Sequence, residues 1–304
     1  MGAWRNWTRR WQKTPNDAAA ARSGPDTVEP AAAARPDMGQ TVEREVIPRL
    51  LVAHQTTGAE TEKPQRGAIE SEVVAFARLV ATHDAATASA WVESRRANGV
   101  SVESLFLGLL EPAARRLSSL WQEDRCHFDD IAVGLLNLQC VMHELSGAFA
   151  SECQCRSRAS KVLLISAPAE HSMLGVSMAT DFYRCLVAEF FHRAGWEVWR
   201  SPPASRAELM NVLRSYWFDV VDVSASCEAR LPRLSADVAE MRKVSRNARI
   251  GVSVGGPAFD EHLEFVEAIG ADASASDPRD TLLNAEALVA MHQRKRDLAS
   301  GVGS

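Results

Sequence analysis

Apolar residues recur at spacings of three and four from residue 69 to about residue 150. Ile69, Val73, Phe76, Ala77 and Val80 form one stripe, and residues 86–96 carry a second. Ser101 stands where it would cap a third segment, which runs through Leu105, Leu109 and Pro112 to Leu117, Leu120 and Trp121. A fourth spans 128–149, with Asp129 or Asp130 as N-cap and Val133, Leu136, Leu138 and Leu145 along it. This is the period of amphipathic helices. Four of them with short joints predict a helical bundle over residues 67–155.

After residue 158 the pattern changes. A short apolar run at 161–165 reads as a buried strand, 196–199, 219–223 and 249–254 read as strands, and a short segment at 272–275 completes the set. Between them lie helical patterns at 173–194, 204–214, 232–245, 260–269 and 278–292. Strands alternating with helices predict an α/β fold, a doubly wound Rossmann-like parallel sheet over residues 158–298. Such sheets bind ligands beyond the carboxyl ends of their strands. The loops after Ile165, Val223 and Val254 are therefore where chemistry is expected.

The chain upstream of the bundle has a different texture. Residues 14–40 hold two alanine tetrads and four prolines, Pro15, Pro25, Pro30 and Pro36, and read as a disordered tether. Residues 1–13 place Trp4, Trp7 and Trp11 among Arg5, Arg9, Arg10 and Lys13. On a helix the three indoles share a face suited to a partner, an anionic membrane surface or DNA; the alternative is an unstructured tail. A short proline-kinked helix is predicted at 42–54, followed by a polar linker, so that 41–66 connects tail and bundle.

Composition narrows the function classes. The chain has 304 residues, 46% hydrophobic and 24% charged, as soluble globular proteins do. A net charge of −5 argues against non-specific coating of nucleic acid. No apolar stretch approaches the roughly 20 residues of a membrane span, and the start has no secretory core, so the expectation is a cytoplasmic protein without a transmembrane segment. Six cysteines in this length do not make a disulfide framework, and Cys153-x-Cys155 matches no common zinc spacing.

The predicted loops carry candidate chemistry. After the first strand, His171 and Ser172 precede Gly175. An imidazole there can face a planar cofactor or a metal; it can equally be a loop or N-cap residue. Ser224 and Ser226 follow the third strand and suit either the lining of a narrow channel or the capping of a helix. Gly255 and Gly256 follow the fourth and let a backbone pass close to something flat or to another chain. There is no G-x-G-x-x-G and no Walker motif, which counts against a nucleotide enzyme.

Taken together, a bundle before a doubly wound domain, the loop histidine, Ser-x-Ser, Gly-Gly-Pro-Ala-Phe at 255–259 and Gly-Ala-Asp at 270–272 resemble a cobalamin-binding module. Residues 42–54 and the run Leu-Trp-Gln-Glu-Asp-Arg-Cys-His-Phe-Asp-Asp at 120–130 are similar to the photosynthesis-gene regulators of purple bacteria, the AerR/PpaA antirepressor type. Relatives of that group hold heme instead of cobalamin. The resemblance covers residues 42–289. It implies a non-enzymatic, cofactor-binding transcriptional regulator, with light among the signals open to it, that acts through a repressor protein of the CrtJ/PpsR type, with indirect or weak DNA contact.

By the same resemblance His171 is the lower axial metal ligand. Ser224 and Ser226 line the channel for the nucleotide tail, Gly255 and Gly256 pass beside it, and Trp121 covers the upper face with His127 as a neighbour. The family spacing is His-x-x-Gly; here three residues separate His171 from Gly175, so Ser172 stands at the strict histidine position. The helix after this loop is also about two turns longer than usual. Light sensors with adenosylcobalamin carry Glu-His where this chain has Ile131 and Ala132. That favours hydroxo-, aqua- or methylcobalamin, with heme as the alternative cofactor. A detached corrinoid carrier serving methyltransferases is the alternative role.

Overall fold

Lys63–Thr82 (α1) and Ala85–Ala97 (α2) open the helical half. Asp84 caps α2 by accepting a hydrogen bond from the Thr87 backbone N at 2.9 Å. The computed structural model describes residues 63–152, 160–167, 174–200, 205–225, 231–256, 258–259 and 264–299. Outside them lie the tail at 1–40, the segment at 42–54, the Cys153 and Cys155 pair, and three expected site residues, His171, Ser172 and Ser226.

Ser101 caps the third helix as expected, its Oγ accepting from the Ser104 backbone N at 3.1 Å. That helix is not continuous. Val102–Leu105 (α3) widens into a π turn at Phe106–Leu110 before Glu111–Gln122 (α4). Pro112 explains the break: it has no N–H for the carbonyl four residues earlier, and its ring crowds that carbonyl.

Phe128–Ser151 (α5) starts at His127, so neither Asp129 nor Asp130 is the N-cap. Asp130 instead turns its carboxylate back and accepts from the His127 backbone N at 3.1 Å. Along α5, Leu138 and Leu145 are buried as expected, but Val133 and Leu136 are 46% and 58% exposed. At 3.6 residues per turn, positions five and two before Leu138 fall far around the helix from it. Asn137 is buried inside the bundle and donates from Nδ2 to the carbonyls of Val80 and His83, both at 2.8 Å.

The second half is a parallel sheet of five strands: β1 (Lys161–Ser166), β2 (Glu197–Arg200), β3 (Val220–Ser224), β4 (Gly251–Gly255) and β5 (Ala273–Ala275). Their spatial order is β2-β1-β3-β4-β5. The intervening helices are α6 (Leu174–Arg193), α7 (Arg206–Ser215), α8 (Leu231–Val244), α9 (Glu264–Ala268) and α10 (Pro278–Ala299). Side chains alternate faces along a strand. The face bearing Val162, Leu164 and Val220 packs on Val187, Ala188 and Phe191 of α6 and Ala285 of α10. Right-handed crossovers place α7 and α8 on the other face.

Helix α6 belongs to both halves. Its Phe182, Leu186 and Phe190 join the buried cluster of the helical half, and Phe190 meets Phe149 with ring centroids 5.0 Å apart. Arg193, at its last turn, lies over the Phe149 ring at 4.3 Å and pairs with Glu103 at 2.7 Å.

Candidate functional site

Strand order reverses between β1 and β3, and a row of polar groups lies there. Register places Ser166 beside Ser224, and Ser224 beside Gly255; two residues back, Asp222 sits between Leu164 and Ser253. All are on the face covered by α6 and α10. Ser224 and Ser253 are fully buried and Asp222 is 2% exposed. Among the described residues, Asp222 Oδ1, Ser224 Oγ, Ser253 Oγ and the Tyr183 hydroxyl reach no hydrogen-bond partner. Each such orphan costs about 1–3 kcal/mol, so a run of them marks a place that expects further polar company.

The electrostatics follow from that burial. Loss of solvent pushes the Asp222 carboxyl up to about 7. The neighbouring Arg184 guanidinium holds it down in part. Arg184 is itself buried; it donates to Ser166 Oγ at 2.7 Å and pairs with Asp181 at 2.6 Å. Burial also pushes the Tyr183 phenol well above its ordinary value.

Tyr183 connects this row to a cavity of about 260 Å³ between α4 and α6. Arg115, Ser118 and Gln122 of α4 face Thr180 and Tyr183 of α6, with Gly256 at the carboxyl end of β4. The Tyr183 hydroxyl lies 4.0 Å from where a Cβ on Gly255 would be. Ser118 Oγ is another buried oxygen without a partner. Arg115 pairs with Glu111 and donates to the Ser276 carbonyl at 3.0 Å, fixing that wall. The cavity thus sits at the edge of the sheet where α/β folds bind ligands.

The expected site residues are distributed as follows. Ser224 lies in the polar row. Gly255 and Gly256 flank cavity and row, and their lack of a Cβ is required by the chain's own backbone. A Cβ on Gly255 would stand 2.9 Å from the Ala275 carbonyl, and one on Gly256, at φ +95°, 2.7 Å from that of Ala225. Gly175 is in the first turn of α6. Trp121 ends α4, partly buried against the helical core. His127 is exposed at the start of α5. No group of three or more His, Cys, Asp or Glu among the described residues is placed to hold a metal. No described helix is long and apolar enough to cross a membrane.

Asp222, Ser253, Tyr183 and Arg184 were not anticipated as site residues. The signal for Asp222 was a charge inside an otherwise apolar strand run. Tyr183 had only its rarity, being one of 2 tyrosines.

No protein-family model matches the chain. Among solved structures, the Methanosarcina barkeri monomethylamine corrinoid protein superposes with a TM-score of 0.56 at 12% identity, over 71% of this chain and 96% of that one. The two share a fold. A novel cobalamin-binding protein from Desulfitobacterium hafniense DCB-2 matches over 73% of this chain and 97% of its own at 15% identity, with a TM-score of 0.34. In sequence, an uncharacterized 20.5 kDa protein from the bchF-crtJ intergenic region of Rhodobacter capsulatus is 24% identical over 182 residues, 60% of this chain and 90% of that protein.

Proposed function

We propose that this chain holds a corrinoid at the carboxyl edge of its sheet and works without catalysis, as a cytoplasmic regulator read by a repressor protein of the CrtJ/PpsR type. The observation that carries the cofactor reading is the buried row of Asp222, Ser224, Ser253 and Tyr183, whose oxygens lack partners inside the corrinoid-protein fold. The regulatory reading is supported by the relative from the bchF-crtJ intergenic region. In this proposal Ser224 and Ser226, with Gly255 and Gly256, line the path of the nucleotide tail. Tyr183 stands at its entrance.

His171 is the proposed lower ligand, with Ser172 and Gly175 shaping its loop. Trp121 and His127 approach from the helical half. Neutral imidazole is a good donor to cobalt or iron. A bound corrinoid, in the hydroxo, aqua or methyl form, would supply a metal whose axial ligands exchange; heme is the second candidate. The protein's part is to bind, orient and shield that group. Because α6 belongs to both packed halves, a ligand that displaces it alters the surface of each.

A corrinoid carrier is the competing role, favoured by the shared fold with the monomethylamine corrinoid protein. The deciding experiment mixes full-length protein separately with hydroxocobalamin and heme, desalts, and records spectra. Stoichiometric retention of one supports the cofactor reading, and loss of both overturns it. An unchanged bound spectrum in His171→Ala removes the axial assignment. Methyl transfer to or from a methyltransferase identifies a carrier; cofactor-dependent capture of the repressor identifies a regulator.

A further inference from the structure

We infer that Asp222 determines which corrinoid tail the chain accepts, selecting an aminopurine base over a dimethylbenzimidazole; this rests on the corrinoid reading above. Asp222 is buried on β3 with Oδ1 unpartnered; Ser253 is its register partner and Ser224 lies two residues on along β3, both with hydroxyls that reach no partner. Tyr183 also lines the cavity, and its hydroxyl stands 4.0 Å from the Cβ position of Gly255, the register partner of Ser224, so cavity and row adjoin at Tyr183.

The chemistry of that meeting is selective. A carboxylic acid offers a carbonyl acceptor beside an O–H donor. An aminopurine edge offers an N–H donor beside a ring nitrogen acceptor, so the two close a pair of parallel hydrogen bonds. An ionised carboxylate still accepts from the amino group. The carboxyl of Asp222, raised to about 7, populates both forms at neutral pH, and the aminopurine satisfies either. Arg184 donates to Ser166 and pairs with Asp181 through its terminal nitrogens, its Nε reaching no partner, and acts on Asp222 as a neighbouring charge.

A dimethylbenzimidazole has no N–H donor when bound through its ribose, and it turns methyl groups toward four buried oxygens. It would leave Asp222 buried and unpaired. Sites built to hydrogen-bond a polar group reject analogues that lack it for this reason.

The test titrates the full-length protein with adeninylcobamide, cobalamin, and cobinamide, which lacks the nucleotide tail, following absorbance and retention after desalting. The expected result is adeninylcobamide binding about ten-fold tighter than cobalamin, the worth of one hydrogen bond to a polar group that is otherwise left buried. Asp222→Ala removes the preference, whereas Asp222→Asn, which keeps a donor and an acceptor, retains it. Cobinamide affinity is the same in all three proteins. Equal or tighter binding of cobalamin by the wild-type protein, or a preference that survives Asp222→Ala, overturns the role of Asp222 alone. Retention of no corrinoid overturns the corrinoid reading and this inference with it.

Discussion

Asp222 on β3 and Ser253 on β4 are register partners, both buried, and each keeps an oxygen without a hydrogen-bond partner. Two such groups side by side in a sheet centre make the protein less stable than its packing alone would allow. The Asp222 carboxyl stands at about 7 when folded, against an ordinary 3.8. Well below its ordinary value the carboxyl is protonated in both states and has no effect. As pH rises toward 7, the unfolded chain releases its proton first, so folding loses stability; above 7 the loss is constant. Asp222→Asn removes this titration. Its melting temperature should match or slightly exceed wild type near pH 4 and exceed it by a margin that grows to about pH 7. Thermal melts across that range check this; a margin independent of pH removes the raised carboxyl.

Gly256 is held at φ +95°, with the Ala225 carbonyl 2.7 Å from where its Cβ would be. Gly147, one turn before the C-terminal end of α5, has nothing within 4 Å of that position. Gly256→Ala should therefore destabilise by about 1–3 kcal/mol, because the left-handed backbone and the clash with a main-chain atom add. Gly147→Ala should stabilise by roughly 0.5–1 kcal/mol through helix propensity. Urea denaturation of both variants measures the contrast. Similar losses in the two would mean that the crossing of Gly256 and Ala225 is not tight in solution.

Phe149 of the helical half and Phe190 of α6 are both buried and touch through their rings. A core that runs through α6 predicts that residues 63–152 and the sheet unfold together. Phe190→Ala should lower the single midpoint seen by both far-UV circular dichroism and tryptophan fluorescence, at a cost of about 3–5 kcal/mol. Two separated transitions in the wild-type protein would show that the halves are independent.

The strands were readable from sequence because a parallel sheet covered on both faces demands short apolar runs bounded by turns. All five appear within about two residues of the expected bounds. Periodicity alone did not separate the two sides of α5, where Val133 and Leu136 count as apolar yet face outward. Pro112 was visible, but not that the chain would answer it with a π turn rather than a stop. The site was only partly legible. Ser224 and the glycine pair stand out in the sequence by type and position, whereas the cavity needs Ser118, Tyr183 and Gly256, far apart in sequence, to line one space. Asp222 was hidden because a single polar residue in an apolar run reads as noise until its neighbours across the sheet are known.

Asn137 offers a test of how the helical half is closed. A helix leaves its last carbonyls without partners, and at the end of α1 Asn137 supplies both protons of its side-chain amide to two of them, Val80 and His83. It is 8% exposed, so water has little access to replace it. Asn137→Ala should cost about 2–3 kcal/mol, since it opens a small void and orphans one buried and one part-buried acceptor. Asn137→Leu refills the void without restoring either bond, so it should remain destabilised. Asn137→Gln tests geometry, because the extra methylene carries the amide past both carbonyls. Chemical denaturation of the three variants separates these terms: recovery of wild-type stability by Asn137→Leu would show that packing, and not the closure of α1, accounts for the buried amide.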